Sequence, residues 1–191
     1  MRTAVLAALL ALAALAARAD FAAGEQARAR GDHATALKEW QAAADQGDAR
    51  AQHGLGLLYL NGDGVRVDVR AAAAWFRRAA DQGLADGQFA YGQMVRDGTG
   101  MRADPRAAGD YFLKAARQAH AGARYAIGAL FEQGLGVDHD DARALAWYRL
   151  AAEVGHPYAI ERGNRLMLNS SAEKIREGER YTLETLLKAG L

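Results

Sequence analysis

Nucleophilic catalysis needs an activated side chain beside a base, and this sequence offers poor material for it. Cysteine is absent, and the only serines, Ser170 and Ser171, have no histidine close to them in the chain. Carboxylates are abundant but fall at helix starts and on helix faces. The run Asp138-His139-Asp140-Asp141 invites a calcium reading, yet it lacks the D-x-[DN]-x-[DN]-G spacing of an EF-hand loop. His120 and His156 occur one repeat length apart, at equivalent corners too distant to share a metal ion, and read as surface histidines at turns. The glycine pairs, such as Gly62 and Gly64, do not have the spacing of a phosphate-binding loop. The residues therefore point to no catalytic group, no metal site and no cofactor. Trp75, Tyr111 and Trp147 could form an aromatic ligand box, but they recur at a fixed period beside alanine, so packing between repeats is the expected role.

That period organises the chain. Residues 49–84, 85–120 and 121–156 align without a gap as blocks of 36. Gly56, Gly92 and Gly128 share a column, as do Gly62, Gly98 and Gly134, and Gly64, Gly100 and Gly136. Asp68, Asp104 and Asp140 form another. Trp75, Tyr111 and Trp147 stand beside Phe76, Phe112 and Tyr148, and the pairs Ala79-Ala80, Ala115-Ala116 and Ala151-Ala152 follow.

Each block reads as a helix hairpin. Leu55, Leu58 and Tyr59 have helical spacing, and a glycine then ends the helix, because glycine takes the left-handed conformation without steric penalty. A second glycine permits a tight loop. The column aspartate caps the next helix by accepting N–H groups of its first turn. Asp104-Pro105 strengthens this assignment, since proline is preset for the first helical position. Small residues at Gly56 and Ala79 let helices approach closely, with Trp75 filling the space between repeats.

LGLLYLNGDGV with AWFRRAADQG, YGQMVRDGTGM with DYFLKAARQA, and IGALFEQGLGV with AWYRLAAEVG resemble the Sel1-like repeat, an α/α relative of the tetratricopeptide repeat. The resemblance implies an all-α fold, a right-handed solenoid of helix hairpins. Residues 20–48 read as a degenerate N-terminal repeat that keeps a second helix and the Asp-Gln-Gly ending but lacks the G-x-G loop. Residues 157–191 read as a partial repeat, its first helix starting at Pro157. A Ser170-x-x-Glu173 capping box would then open one charged C-terminal capping helix.

Residues 1–19 read as a signal peptide: Arg2, the apolar run Ala4–Ala17, then Ala17-Arg18-Ala19. The run is short for a bilayer span, so no stable membrane insertion is expected once it is removed. Cleavage after Ala19 would remove Arg2 and Arg18, taking 24 basic residues to 22 against 23 acidic, a net charge of −1. Neither this nor the full chain's +1 favours nucleic acid. A periplasmic or secreted location follows.

Stacked hairpins of this kind commonly hold a partner on the concave surface lined by first helices. By analogy with the tetratricopeptide arrangement, the partner-facing positions are Arg50, His53, Leu57 and Leu60, then Phe89, Gln93 and Arg96, then Tyr125, Ala129 and Glu132. Phe89 and Tyr125 can equally pack between first helices. The resemblance implies a non-enzymatic scaffold or adaptor for a protein or peptide. The alternative, binding of peptidoglycan or polysaccharide fragments, needs exposed aromatic platforms, for which Phe89 and Tyr125 are the groove candidates. Amide hydrolysis, proposed for cysteine-rich relatives, has no basis in a chain without cysteine.

Overall fold

A computed structural model of the chain describes residues 21–191; the signal-like segment 1–19 lies outside them. The described residues contain helices and no strand, and they divide into two compact units, one ending at Gln82 and one running Gly83–Leu191.

The first unit holds α1 (residues 21–29), α2 (His33–Asp45), α3 (Ala49–Asn61) and α4 (Val69–Asp81). The second holds α5 (Ala85–Asp97), α6 (Pro105–Arg117), α7 (Ala121–Gln133), α8 (Asp141–Glu153), α9 (Ala159–Asn169), α10 (Ala172–Arg180) and α11 (Leu183–Ala189). Each 36-residue block thus forms one hairpin: α3–α4, α5–α6 and α7–α8.

The repeated residues make these hairpins for identifiable reasons. Gly62, Gly98 and Gly134 end the first helices at φ of 80°, 71° and 64°, a conformation that glycine adopts freely. Asp68 accepts from the N–H groups of Arg70 and Ala71, both at 3.0 Å, Asp104 from Ala107 at 2.9 Å, and Asp140 from Arg143 at 3.1 Å. The second glycine does more than turn the loop. A Cβ on Gly64 would lie 2.8 Å from the His33 Cβ, and one on Gly136 would lie 2.5 Å from the Arg106 nitrogen. These two loops therefore rest against the start of the preceding second helix of the same unit, at a distance that admits no side chain.

The core rings sit on glycine. Added Cβ atoms on Gly56, Gly92 and Gly128 would lie 2.5, 2.7 and 2.8 Å from the rings of Phe76, Phe112 and Tyr148. In the N-terminal hairpin the same contact joins Gly24 and Trp40 at 2.4 Å. Gly24 precedes Trp40 by 16 residues, whereas Gly56 precedes Phe76 by 20, so the degenerate hairpin has a connection four residues shorter.

Two expectations need correction. Trp147 is fully buried, but Trp75 and Tyr111 are half-buried, with the Arg78 guanidinium 4.4 Å and the Lys114 ammonium 5.0 Å from their ring centres. The neighbouring column, Phe76, Phe112 and Tyr148, carries the core of each hairpin. The C-terminal cap consists of two short helices instead of one. Ser171 caps α10, accepting from Lys174 N at 3.3 Å, while Ser170 Oγ lies 2.9 Å from Asp141 Oδ2 and 3.0 Å from Leu166 O. The capping box belongs to Thr182 and Thr185, which open α11.

Candidate partner-binding face

Positions at i, i+4 and i+7 of the first helices form the columns His53/Phe89/Tyr125, Leu57/Gln93/Ala129 and Leu60/Arg96/Glu132. Helical spacing places each set along one side of its helix. Four of the expected residues lie on α3 in the first unit, and the others lie on α5 and α7 in the second.

On α3, Arg50 is exposed. Its guanidinium lies 4.3 Å from the Phe21 ring centre and 2.8 Å from Asp48 Oδ2, so it clamps the helix start while its outer edge meets solvent. His53 is half-buried, with its ring 5.4 Å from that of Phe76. Leu57 and Leu60 are also half-buried and supply apolar surface.

In the second unit, Phe89 lies against Phe112 at 5.8 Å and His120 at 4.5 Å between ring centres. Tyr125 repeats the pattern with Tyr148 at 5.2 Å and His156 at 4.2 Å, the latter ring nearly parallel. Both aromatics are half-buried. One column of rings therefore packs between the helices and leaves part of each ring to solvent, which is not the open platform that stacking on a sugar needs.

The charged members differ from one another. Arg96 pairs with its neighbour Asp97 at 2.7 and 3.0 Å, and this carboxylate raises the guanidinium pKa despite partial burial. Gln93 and Ala129 are half-buried. Glu132 is a structural group. It accepts the Tyr148 hydroxyl and is held by Arg162 at 2.8 and 2.7 Å, which ties α7, α8 and α9 together. Burial, then the Glu132 carboxylate, pushes the Tyr148 hydroxyl pKa well above its usual value.

The histidines at the repeat ends also have structural roles. His120 Nδ1 accepts from Ala123 N at 3.0 Å and so caps α7, while Nε2 lies 3.3 Å from Asp86 Oδ1. Burial lowers the pKa of both His120 and His156. In the acidic run, Asp140 caps α8 and pairs with Arg143 at 3.3 Å, and Asp141 lies 3.2 Å from His139 Nε2. Among the described residues no three His, Cys, Asp or Glu side chains are grouped as a metal would need.

One buried column escapes a reading by hydrophobic pattern. Gln52, Gln88 and Arg124 are 6, 6 and 5% exposed. Gln82 donates to Gln52 at 2.8 Å, and Gln118 donates to Gln88 at 3.0 Å. In the third repeat the position of Gln82 and Gln118 is taken by Val154, which has no polar group. Arg124 stands opposite and instead donates to the carbonyls of Ala116 and Leu150 at 3.3 and 3.0 Å. The paired change, visible at the 36-residue spacing, is the signal that could have found it.

Antiparallel helix hairpins repeating every 36 residues define an α/α repeat protein of the tetratricopeptide-like class. The Sel1 repeat model matches residues 49–84, 85–120 and 121–156, and the chain belongs to that family. Sel1 repeats generally mediate protein–protein interactions, and the scaffold is typically non-catalytic. A Sel1 repeat protein from Oxalobacter formigenes is 33% identical, with a TM-score of 0.69 over 73% of this chain and 56% of that one. The protein c5321, described as a protective antigen present in uropathogenic Escherichia coli strains and displaying an SLR fold, is 31% identical. Its TM-score is 0.71 over 76% of this chain and 31% of that one. The chain thus spans about half the length of the first and a third of the second. No curated protein matches the sequence significantly.

Proposed function

We propose that this protein is an exported adaptor of the bacterial envelope that binds a protein or peptide and catalyses no reaction. The observation that carries the reading is the run of three contiguous Sel1 repeats over residues 49–156, a scaffold whose members generally bind proteins. The first-helix sides of α3, α5 and α7 supply varied half-exposed groups, including Leu57, Leu60, Gln93 and Arg96, as selective recognition requires. Export rests on Arg2, the Ala4–Ala17 run and Ala17-Arg18-Ala19. Among the described residues no helix is long and apolar enough to cross a membrane.

The test is affinity capture from envelope extract with the C-terminally tagged full chain, beside a Gln93→Glu/Arg96→Glu variant. Glu132 is left intact, because its charge reversal would break the clamp to Arg162. Support would be an N-terminus at Asp20 in the periplasmic fraction and a protein that the variant loses. An intact N-terminus in the cytoplasm would sink export. Retention of labelled peptidoglycan or polysaccharide, with no protein captured, would replace the adaptor by the carbohydrate reading.

A further inference from the structure

The end of α3 carries reactive chemistry of a kind that the other repeats lack. An asparagine side-chain amide can be attacked by the backbone nitrogen of the following residue, closing a five-membered succinimide. A following glycine leaves that nitrogen most open, because it has no Cβ to hinder the approach. The asparagines of the chain are Asn61, Asn164 and Asn169, followed by Gly62, Arg165 and Ser170. All of them are exposed, so the neighbour, not exposure, sets Asn61 apart. In the 36-residue period the same column holds Asp97 and Gln133, and only the first repeat places an asparagine before its loop glycine.

The fold holds this pair in a geometry that does not react. Asn61 is the last residue of α3, and Gly62 follows at φ 80° and ψ 24°. The Gly62 N–H, the nucleophile of the reaction, donates to the Leu58 carbonyl at 2.9 Å, and the Asp63 N–H donates to the same oxygen at 3.1 Å. The Asn61 side-chain amide donates to Asp63 Oδ2 at 3.2 Å. Val67 lies over the glycine, since a Cβ added there would be 2.7 Å from Val67 Cγ2. Attack on Asn61 Cγ therefore requires the last turn of α3 to open, a local event that needs no global unfolding.

We propose that Asn61 is a site of spontaneous deamidation gated by the C-cap of α3. The Gly62 nitrogen loses its proton and bonds to Asn61 Cγ, and the side-chain nitrogen leaves as ammonia. Water then opens the succinimide at either carbonyl, giving aspartate or isoaspartate. The new carboxylate cannot donate to Asp63, and it adds negative charge at the helix end whose dipole is already negative. The second repeat shows how such a charge is compensated: Asp97 pairs with Arg96 at 2.7 and 3.0 Å. In the first repeat the residue before Asn61 is Leu60. Conversion thus loosens the loop of the first repeat and charges the helix end beside Leu60. The chemistry holds whatever the protein binds.

The test follows the full chain in mildly alkaline buffer by peptide mapping and mass spectrometry, folded and in guanidinium chloride. In denaturant Asn61 should convert ahead of Asn164 and Asn169. In the folded chain its conversion should be at least about tenfold slower than in denaturant, as opening of the cap limits it. Val67→Ala, which uncovers Gly62, should raise the folded rate at least about twofold with an unchanged circular dichroism spectrum. Asn61→Asp, which installs one product directly, should lower the thermal midpoint by about 1–4 °C. Conversion of Asn61 no faster than that of the other asparagines in denaturant would overturn the site. Equal rates in the folded and denatured chain, or no response to Val67→Ala, would overturn the gate. An unchanged midpoint for Asn61→Asp would overturn the loosening of the loop.

Discussion

At the scale of single residues, the period identifies positions where one repeat departs from the others at a cost. Gly47, Gly83 and Gly155 have φ of 92°, 87° and 85°, and the same column holds Ala119 at φ 60°. A left-handed conformation costs a non-glycine residue about 1–2 kcal/mol, and glycine returns part of this through unfolded-state entropy. Ala119→Gly should therefore stabilise the second unit by about 0.5–1 kcal/mol, measured by urea unfolding. Gly155→Ala should destabilise it, although nothing lies within 4 Å of the added Cβ, so the effect would report backbone strain alone.

His120 connects a residue to pH. Its neutral ring accepts the Ala123 N–H through Nδ1, an interaction that protonation of that nitrogen destroys. Burial lowers its pKa, Asp86 opposes the shift, and His156 is lowered by burial and then by repulsion from His120. A depressed folded-state pKa means that the neutral form is favoured on folding. The associated stability is present above the unfolded pKa of about 6.5 and is lost as pH falls below it. The thermal midpoint should fall between about pH 7.5 and 5. His120→Asn, which keeps a capping acceptor, should flatten that slope. An unchanged slope would remove His120 from the effect.

At the scale of helices, the adjacent aromatic columns separate two jobs. Phe112 is fully buried against the Gly92 backbone, whereas Tyr111 is half-buried, with Tyr91 edge-on at 4.8 Å and Lys114 over its face. Phe112→Ala should cost about 3–5 kcal/mol, and Tyr111→Ala clearly less, in denaturant unfolding of the same chain. Equal losses would contradict the division between the columns. Pattern alone could not make it: both columns are aromatic in every repeat, and only the glycine beneath Phe112 shows which ring is enclosed.

The same scale shows what could be read from sequence. Helix ends were legible because glycine and aspartate act locally, within four residues of where they stand. The glycines of the G-x-G loop were legible as turns. Their second role, contact with the start of an earlier helix such as His33 beside Gly64, involves a residue 31 positions away. The expected capping box at Ser170 failed because Asp141 and the Leu166 carbonyl lie beside its hydroxyl, one of them supplied by a distant helix. Glu132 likewise read as an open groove residue because Arg162, its partner, comes from beyond the third repeat.

At the scale of the whole molecule, the matched repeats cover residues 49–156, and Sel1 repeats generally mediate protein–protein interactions. The structure narrows those surfaces. Phe89, Tyr125 and Glu132 are largely committed to packing, while Leu57, Leu60 and Gln93 remain as half-exposed groups on the first-helix sides. The column Leu57, Gln93 and Ala129 differs from repeat to repeat, and the proposed adaptor role makes it the place where selectivity would reside. The most direct measurement is photo-crosslinking in living cells, with benzoylphenylalanine at Gln93 of the first helix α5 and, as a control, at Asp110 on α6, an exposed second-helix position. An adaptor working through its first-helix side should give one discrete protein adduct from Gln93 and none from Asp110. Adducts of the same protein from both positions, or from Asp110 alone, would contradict it.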